Sequence, residues 1–194
     1  GSLCLQTVAD AAAKGFPALR QAQLNDYQAL FNRVTLDLGT SDKTNNPTNE
    51  RLDAIEAGVD AAKNDWSLFN ADDLQLVALN FQMARYLLIS GSRPGSQPLG
   101  LQGKWNNELE PSWEGKMTLN INEEMNYGAA EVTNLAECHQ PLLDLTRDLS
   151  ETGAVVANVH YDADGWMVHH NTDLWRGAAP INNAGGLWPT GAAW

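Results

Sequence analysis

Trp105–Tyr127 reads WNNELEPSWEGKMTLNINEEMNY. Two tryptophans, five asparagines and five glutamates in this stretch make a poor core and a good wall for a hydroxyl-rich ligand. At its centre, Asn120-Ile121-Asn122 follows Met117-Thr118-Leu119, a run that predicts extended chain. In extended chain, side chains two apart project to the same side, so both amides would face one target while a buried Ile121 points away. Two convergent amides suit a sugar hydroxyl or a positioned water. The competing reading makes Asn122 a helix cap with Glu123 and Glu124 in the first turn.

Working outward, Trp105 and Trp113 bracket a loop of amides and carboxylates. Indole faces stack on the apolar faces of sugar rings. Trp113 is the candidate for that role, while Trp105 is expected to pack. Upstream, residues 72–89 carry the strongest helical pattern, opened by Asp72 and Asp73 and apolar on two faces, as for a helix wedged between others. Ser90–Gly103 is a loop in which the Arg93 fork is assigned a structural role, holding a carboxylate or a carbonyl. Downstream, residues 123–149 read as a long helical region divided by Pro141. A further helix is expected from Ser150, with Val155, Val156 and Val159 inward.

The N-terminal part is helix-compatible over residues 8–13, broken at Gly15-Phe16-Pro17, and loosely helical over 18–31. Val34–Gly39 predicts a short strand or an extended link. Thr48 or Asn49 is expected to cap a helix over residues 50–57, with Gly58 as a stop or a weak point. Residues 64–70 form a connection.

A second chemical cluster is Trp166–Trp175, WMVHHNTDLW. His169 and His170 would point apart on a strand, and no third ligand has the spacing of a zinc site. Tyr161–Gly165, YDADG, fails the calcium-loop register and reads as a turn. No cofactor or metal is expected. His170, Asn171 and Asp173 are candidates for sugar contact or for bracing the loop that makes it, and Trp188, in the final AGGLWPTGAAW, is a further candidate.

Composition bounds these readings. The chain has 194 residues, 43% hydrophobic and 19% charged, enough for one domain with its own core. A net charge of −12 disfavours nucleic acid and anionic membranes as partners. Cys4 and Cys138 form no CxxC pair, and a buried thiol is expected for Cys138. The N-terminus lacks the pattern of a signal peptide, and no apolar run is long enough to span a bilayer.

Taken together, Ser92-Arg93-Pro94-Gly95, Leu101-Gln102-Gly103, Trp105-Asn106, Asn120-Ile121-Asn122, Met125-Asn126-Tyr127, Ala130–Leu135 and His169–Trp175 resemble glycoside hydrolase family 95. The resemblance runs in one order from about residue 25 to the end. It implies a mainly α fold, a partial (α/α)6 barrel of roughly its first half, with an N-terminal linker helix and little β structure. Residues 1–45 would lead into the barrel and residues 46–194 would form that half.

The implied activity is inverting hydrolysis of α-L-fucosyl, or α-L-galactosyl, residues from glycans, at a secreted, periplasmic or cell-surface site. Asn120 and Asn122 match the pair that holds the attacking water. Trp113, His170, Asn171, Asp173 and Trp188 would bind the sugar. The general-acid glutamate and helper aspartate of the family lie beyond Trp194, so the segment alone is expected to be inactive. One departure stands out: Gly128-Ala129 replaces a tryptophan-proline pair. Alternative readings are a carbohydrate-binding remnant without catalysis and another (α/α)6 carbohydrate-active enzyme.

Overall fold

In a computed structural model, residues 1–63, 73–181 and 187–189 are described; the expected connection at 64–70 and the proposed cap Asp72 lie outside them. Among the described residues the chain is mainly helical, with six α-helices and one short antiparallel strand pair. It divides into two compact units, Val34–Tyr86 and the combination of Gly1–Arg33 with Leu87–Trp194. Residue 45, where the entry segment was expected to end, lies inside the first of these.

The larger unit begins with α1, Ser2–Lys14, and α2, Phe16–Phe31. Gly15 separates them at φ +74, a conformation that favours glycine, and Pro17 starts α2 where its missing N–H costs nothing. Tyr27 stacks on Phe31 with centroids 5.0 Å apart, and Leu30 enters the core. The Arg93 fork closes bidentately on Asp26 at 2.7 and 3.0 Å, the structural role expected of it.

The smaller unit holds α3, Thr48–Ala62, and most of α4, Leu74–Gly91. Val34–Gly39 forms no strand here. The N-cap of α3 is Pro47, with no side-chain cap, so Thr48 and Asn49 lie inside the helix; Gly58 is tolerated within it. Arg51 grips Asp73 with two bonds of 2.8 Å in a buried pair, and Asp73 also accepts from the Leu76 N–H to cap α4. Among the described residues, one face of α4 is covered within this unit and another is open. Val77, Leu79 and Met83 are 42–49% exposed and line an apolar groove of about 600 Å³ with α3 residues Leu52 and Ile55.

The core of the larger unit is built on α6, Gln140–Tyr161. Its buried Leu142, Leu145, Leu149, Gly153 and Val156 recur at three- and four-residue steps. This corrects three expectations. Pro141 occupies the first turn of α6 rather than the middle of a longer helix, because residues 128–134 form turns, with Asn134 at φ +58. Ser150 starts no new helix; its hydroxyl donates back to the Arg147 carbonyl and the helix continues. Val155 and Val159 face outward at 63% and 71% exposure, leaving Val156 alone of the three inside.

A buried hydrogen-bond chain ties the loops to this core. The Ser92 hydroxyl donates to the Cys138 carbonyl at 2.8 Å, so the Tyr127 hydroxyl, also 2.8 Å away, donates to Ser92. Tyr127 in turn accepts from the Leu99 N–H at 3.0 Å. Cys138 and Cys4 are both free, and burial pushes the Cys138 thiol pKa up.

Candidate active site

The two chemical clusters of the sequence meet through backbone. Strand β1, Met117–Thr118, pairs antiparallel with β2, Asn171–Thr172, setting Thr118 opposite Asn171. The Leu119 N–H then donates to the His170 carbonyl at 2.7 Å. This short pairing anchors the Asn120-Ile121-Asn122 turn to the His-His-Asn segment fifty residues on. Beside it opens a cleft of about 440 Å³ lined by Leu101, Trp113, Lys116, Thr118, Asn120, Ile121, Asn122, His170 and Asn171.

Asn120 and Asn122 both line this cleft, but the chain between them is not extended. Leu119–Glu123 forms a wide turn in which Ile121 takes φ 67, ψ −45, close to the strained γ-turn that β-branched residues rarely adopt. The kink breaks the two-residue alternation, so Ile121 is 55% exposed and lines the cleft, contrary to the buried position expected for it. A residue held in such a conformation marks a place where surrounding structure overrides local preference. The Oδ1 of Asn120 is buried without a hydrogen-bond partner. α5, Glu124–Tyr127, follows directly.

The opposite wall is a hydrogen-bonded string. The Thr118 hydroxyl donates to Asn171 Oδ1 at 2.6 Å, and Asn171 Nδ2 donates to His170 Nε2 at 2.6 Å. This assigns His170 as the neutral tautomer with Nε2 bare. Burial lowers the His170 pKa, and the charge of nearby Lys116 lowers it further, in keeping with that state. Lys116 itself pairs with Glu114 at 2.7 Å.

Trp113 sits on the rim, 83% exposed, in a left-handed turn where Trp113, Glu114 and Gly115 have φ of 59, 60 and 61. Two of these are not glycine, and each such residue costs about 1–2 kcal/mol. Trp105 is half exposed and lies against Gly91 and Gly103, whose added Cβ atoms would approach its ring within 3.3 and 2.8 Å.

Other candidates fall outside the cleft lining. Asp173 is exposed, and its Oδ1 accepts from the Trp175 and Gly177 N–H groups at 2.8 and 3.1 Å, bracing a turn. Trp188 is 59% exposed and follows Leu187, whose carbonyl accepts from the His170 N–H. His169 is fully buried between the Tyr161 hydroxyl at Nε2 and the Ala178 carbonyl at Nδ1, a satisfied core histidine. Tyr161–Gly165 leaves the helix end through Asp162 at φ +49.

Lys116, Thr118 and Arg176 were missed by the sequence reading. Arg176 bonds Asp148 on α6 and Gln97, fixing the loop after β2. Their signal was only proximity to the clusters; lone basic or hydroxyl residues carry no pattern. Glu123 was read in the sequence only as a first-turn acid behind an Asn122 cap, with no part in the site. It is 1% exposed, both its oxygens lack hydrogen-bond partners, and burial pushes its pKa up to about 8.

Comparison with known proteins identifies the family of the chain. The model of the glycosyl hydrolase family 95 catalytic domain matches residues 15–194. "Alpha-L-fucosidase 2" of Arabidopsis thaliana is 39% identical over 193 residues, covering 98% of this chain and 22% of the relative. "Probable alpha-fucosidase A" of Aspergillus niger is 36% identical over 171 residues, 85% of this chain and 20% of the relative. Its namesake in Aspergillus oryzae is 32% identical over 157 residues, 80% and 20%. The chain thus spans about a fifth of the length of the relatives it matches. From these matches and from motifs carried in the same order, the chain belongs to the glycosyl hydrolase family 95 catalytic domain.

Proposed function

We propose that this chain supplies the water-positioning side of an α-L-fucosidase-type active site, within a longer enzyme that hydrolyses terminal α-L-fucosyl residues of glycans. The observation that carries the reading is the placing of Asn120 and Asn122 on one cleft of sugar size, beside Trp113, His170 and Asn171. In this reading the two carboxamides hold a water against the anomeric carbon, and Trp113 offers its indole face to the ring. His170 and Asn171 bond hydroxyls from the opposite wall.

A neutral carboxamide is a very weak base, so it assists attack only if a carboxylate behind it takes up the developing positive character. Among the described residues, no aspartate or glutamate lines the cleft. This fits an arrangement in which the general acid and the helper aspartate come from sequence after Trp194. An acid on one side of the sugar and a water on the other is the geometry of inversion. We assign residues 46–194 to the first half of an (α/α)6 barrel and residues 1–45 to its entry, and place the enzyme outside the cytoplasm or at the cell surface.

The missing carboxylates also favour a second reading for the segment by itself, sugar binding without turnover. Proton NMR of products formed from an α-L-fucoside separates the two. The longer catalytic domain should release β-L-fucose first, and the 194-residue chain should release none. Release of α-L-fucose as first product would refute inversion, and turnover by the short chain would refute the placing of the acid.

A further inference from the structure

Glu123 closes the wide turn that carries both asparagines, yet does not line the cleft. Its side chain is buried, and neither carboxyl oxygen has a hydrogen-bond partner. The main neighbours of the turn are α5, β1 and β2, and Leu119 also meets the core face of α6 and shares a pocket with His139, which is paired with Glu131. From α5 come Glu124, whose Oε1 accepts from the Ile121 N–H, and Tyr127, whose hydroxyl is committed to Ser92 and Leu99. β1 is preceded by Lys116, paired with Glu114. β2 is flanked by His170, bonded to Asn171, and by Asp173, bonded to backbone N–H groups. None of these groups is bonded to Glu123, so among the described residues no cation compensates a charge there. A carboxyl in such surroundings stays in place only while neutral.

We propose that Glu123 is a positioning residue for Asn120 and Asn122, holding their turn closed while its carboxyl is neutral and releasing it when the proton passes to solvent. The turn is poised for this. Ile121 is held in a strained conformation, and Asn120 Oδ1 is orphaned beside it, so the closed form depends on packing rather than on local preference. Once ionised, the carboxylate gains by reaching water, and Glu123 is covalently next to Asn122. The burial that moves its titration to about pH 8 puts the release at the alkaline edge of the physiological range. The consequence for catalysis rests on the water-positioning reading above, whereas the response of the turn to pH does not.

The test is a pH titration, from 6 to 9.5, of the side-chain amide signals of Asn120 and Asn122 in the ¹⁵N-labelled chain. Wild type should show both pairs shifting together with a midpoint near 8 and recovering on return to pH 6. Glu123→Gln, isosteric with the neutral acid, should hold the low-pH positions throughout. Glu123→Leu should also be flat, which excludes loss of the turn through polarity alone. Flat wild-type signals would overturn the proposal, as would a midpoint that survives in Glu123→Gln and so belongs to another group. Failure of the extended enzyme to cleave fucosides leaves this titration unchanged, so the two readings fail separately.

Discussion

Replacing Gly153 by alanine tests how the cleft is supported. Gly153 lies on the buried face of α6, and an added Cβ would come within 2.5 Å of the Met167 carbonyl oxygen, with the Met167 nitrogen at 3.2 Å. An ordinary carbon-to-carbonyl contact is about 3.3 Å, so the Met167 backbone would have to withdraw by about 0.8 Å from the 2.5 Å approach. Neither side of the clash is a flexible side-chain end. Overpacking of this kind costs about 1–3 kcal/mol. The bond from the Met167 N–H to the Gly153 carbonyl, 3.3 Å long, is lost as well, for about 1 kcal/mol. Against these, alanine gains about 1 kcal/mol of helix propensity over glycine. The balance is a destabilisation of about 1–3 kcal/mol, or a fall of about 2–12 °C in melting temperature for a chain of this size. Circular dichroism melting at 222 nm reads it directly. Because Met167 leads straight into His169, His170 and Asn171, near-UV signals of the cleft should change too. A melting temperature equal to or above wild type would refute the contact and the support it gives to the second cluster.

Two further outcomes follow from the core. Tyr127→Phe removes the hydroxyl shared by Ser92 and the Leu99 N–H and leaves both buried groups short of a partner, which should cost about 1–3 kcal/mol in denaturant melts. An unchanged midpoint would show that the buried chain of hydroxyls is dispensable. Leu145→Ala, at a fully buried position, should cost about 2–5 kcal/mol, whereas Val155→Ala, largely exposed, should stay within about 0.5 kcal/mol. Equal losses at the two positions would place α6 in a different rotation.

Local chemistry made much of this legible. Gly15-Phe16-Pro17 separates two helices because glycine supplies the positive φ and proline the first turn, both properties of single residues. The Arg93 fork found its carboxylate, and Cys138 its burial, for similarly local reasons. Where the reading failed, the deciding contacts were distant. Residues 123–149 carry apolar side chains at helical spacing, yet turns interrupt them before α6 begins at Gln140. The three valines near 156 look alike in sequence, and only the rotation of α6 against residues 167–168 selects one. Most instructive is the Asn-Ile-Asn turn. Its residues were placed in a cleft by type, but the alternation used to converge them does not exist, since Ile121 is kinked within a turn that lies against β1, β2 and α5. Asp173 shares a motif with His170 and Asn171 and still lies off the lining, because adjacency in sequence does not fix the direction of a side chain in a turn.

The most direct test of the water-positioning account is steady-state kinetics on an α-L-fucoside with Asn120→Ala and Asn122→Ala in the extended catalytic domain, alongside the dissociation constant for L-fucose. Loss of base assistance should lower kcat by about 10²–10⁴-fold in each variant while fucose affinity changes only a few-fold. A kcat within a few-fold of wild type in either variant would contradict the claim that this pair of carboxamides holds the attacking water.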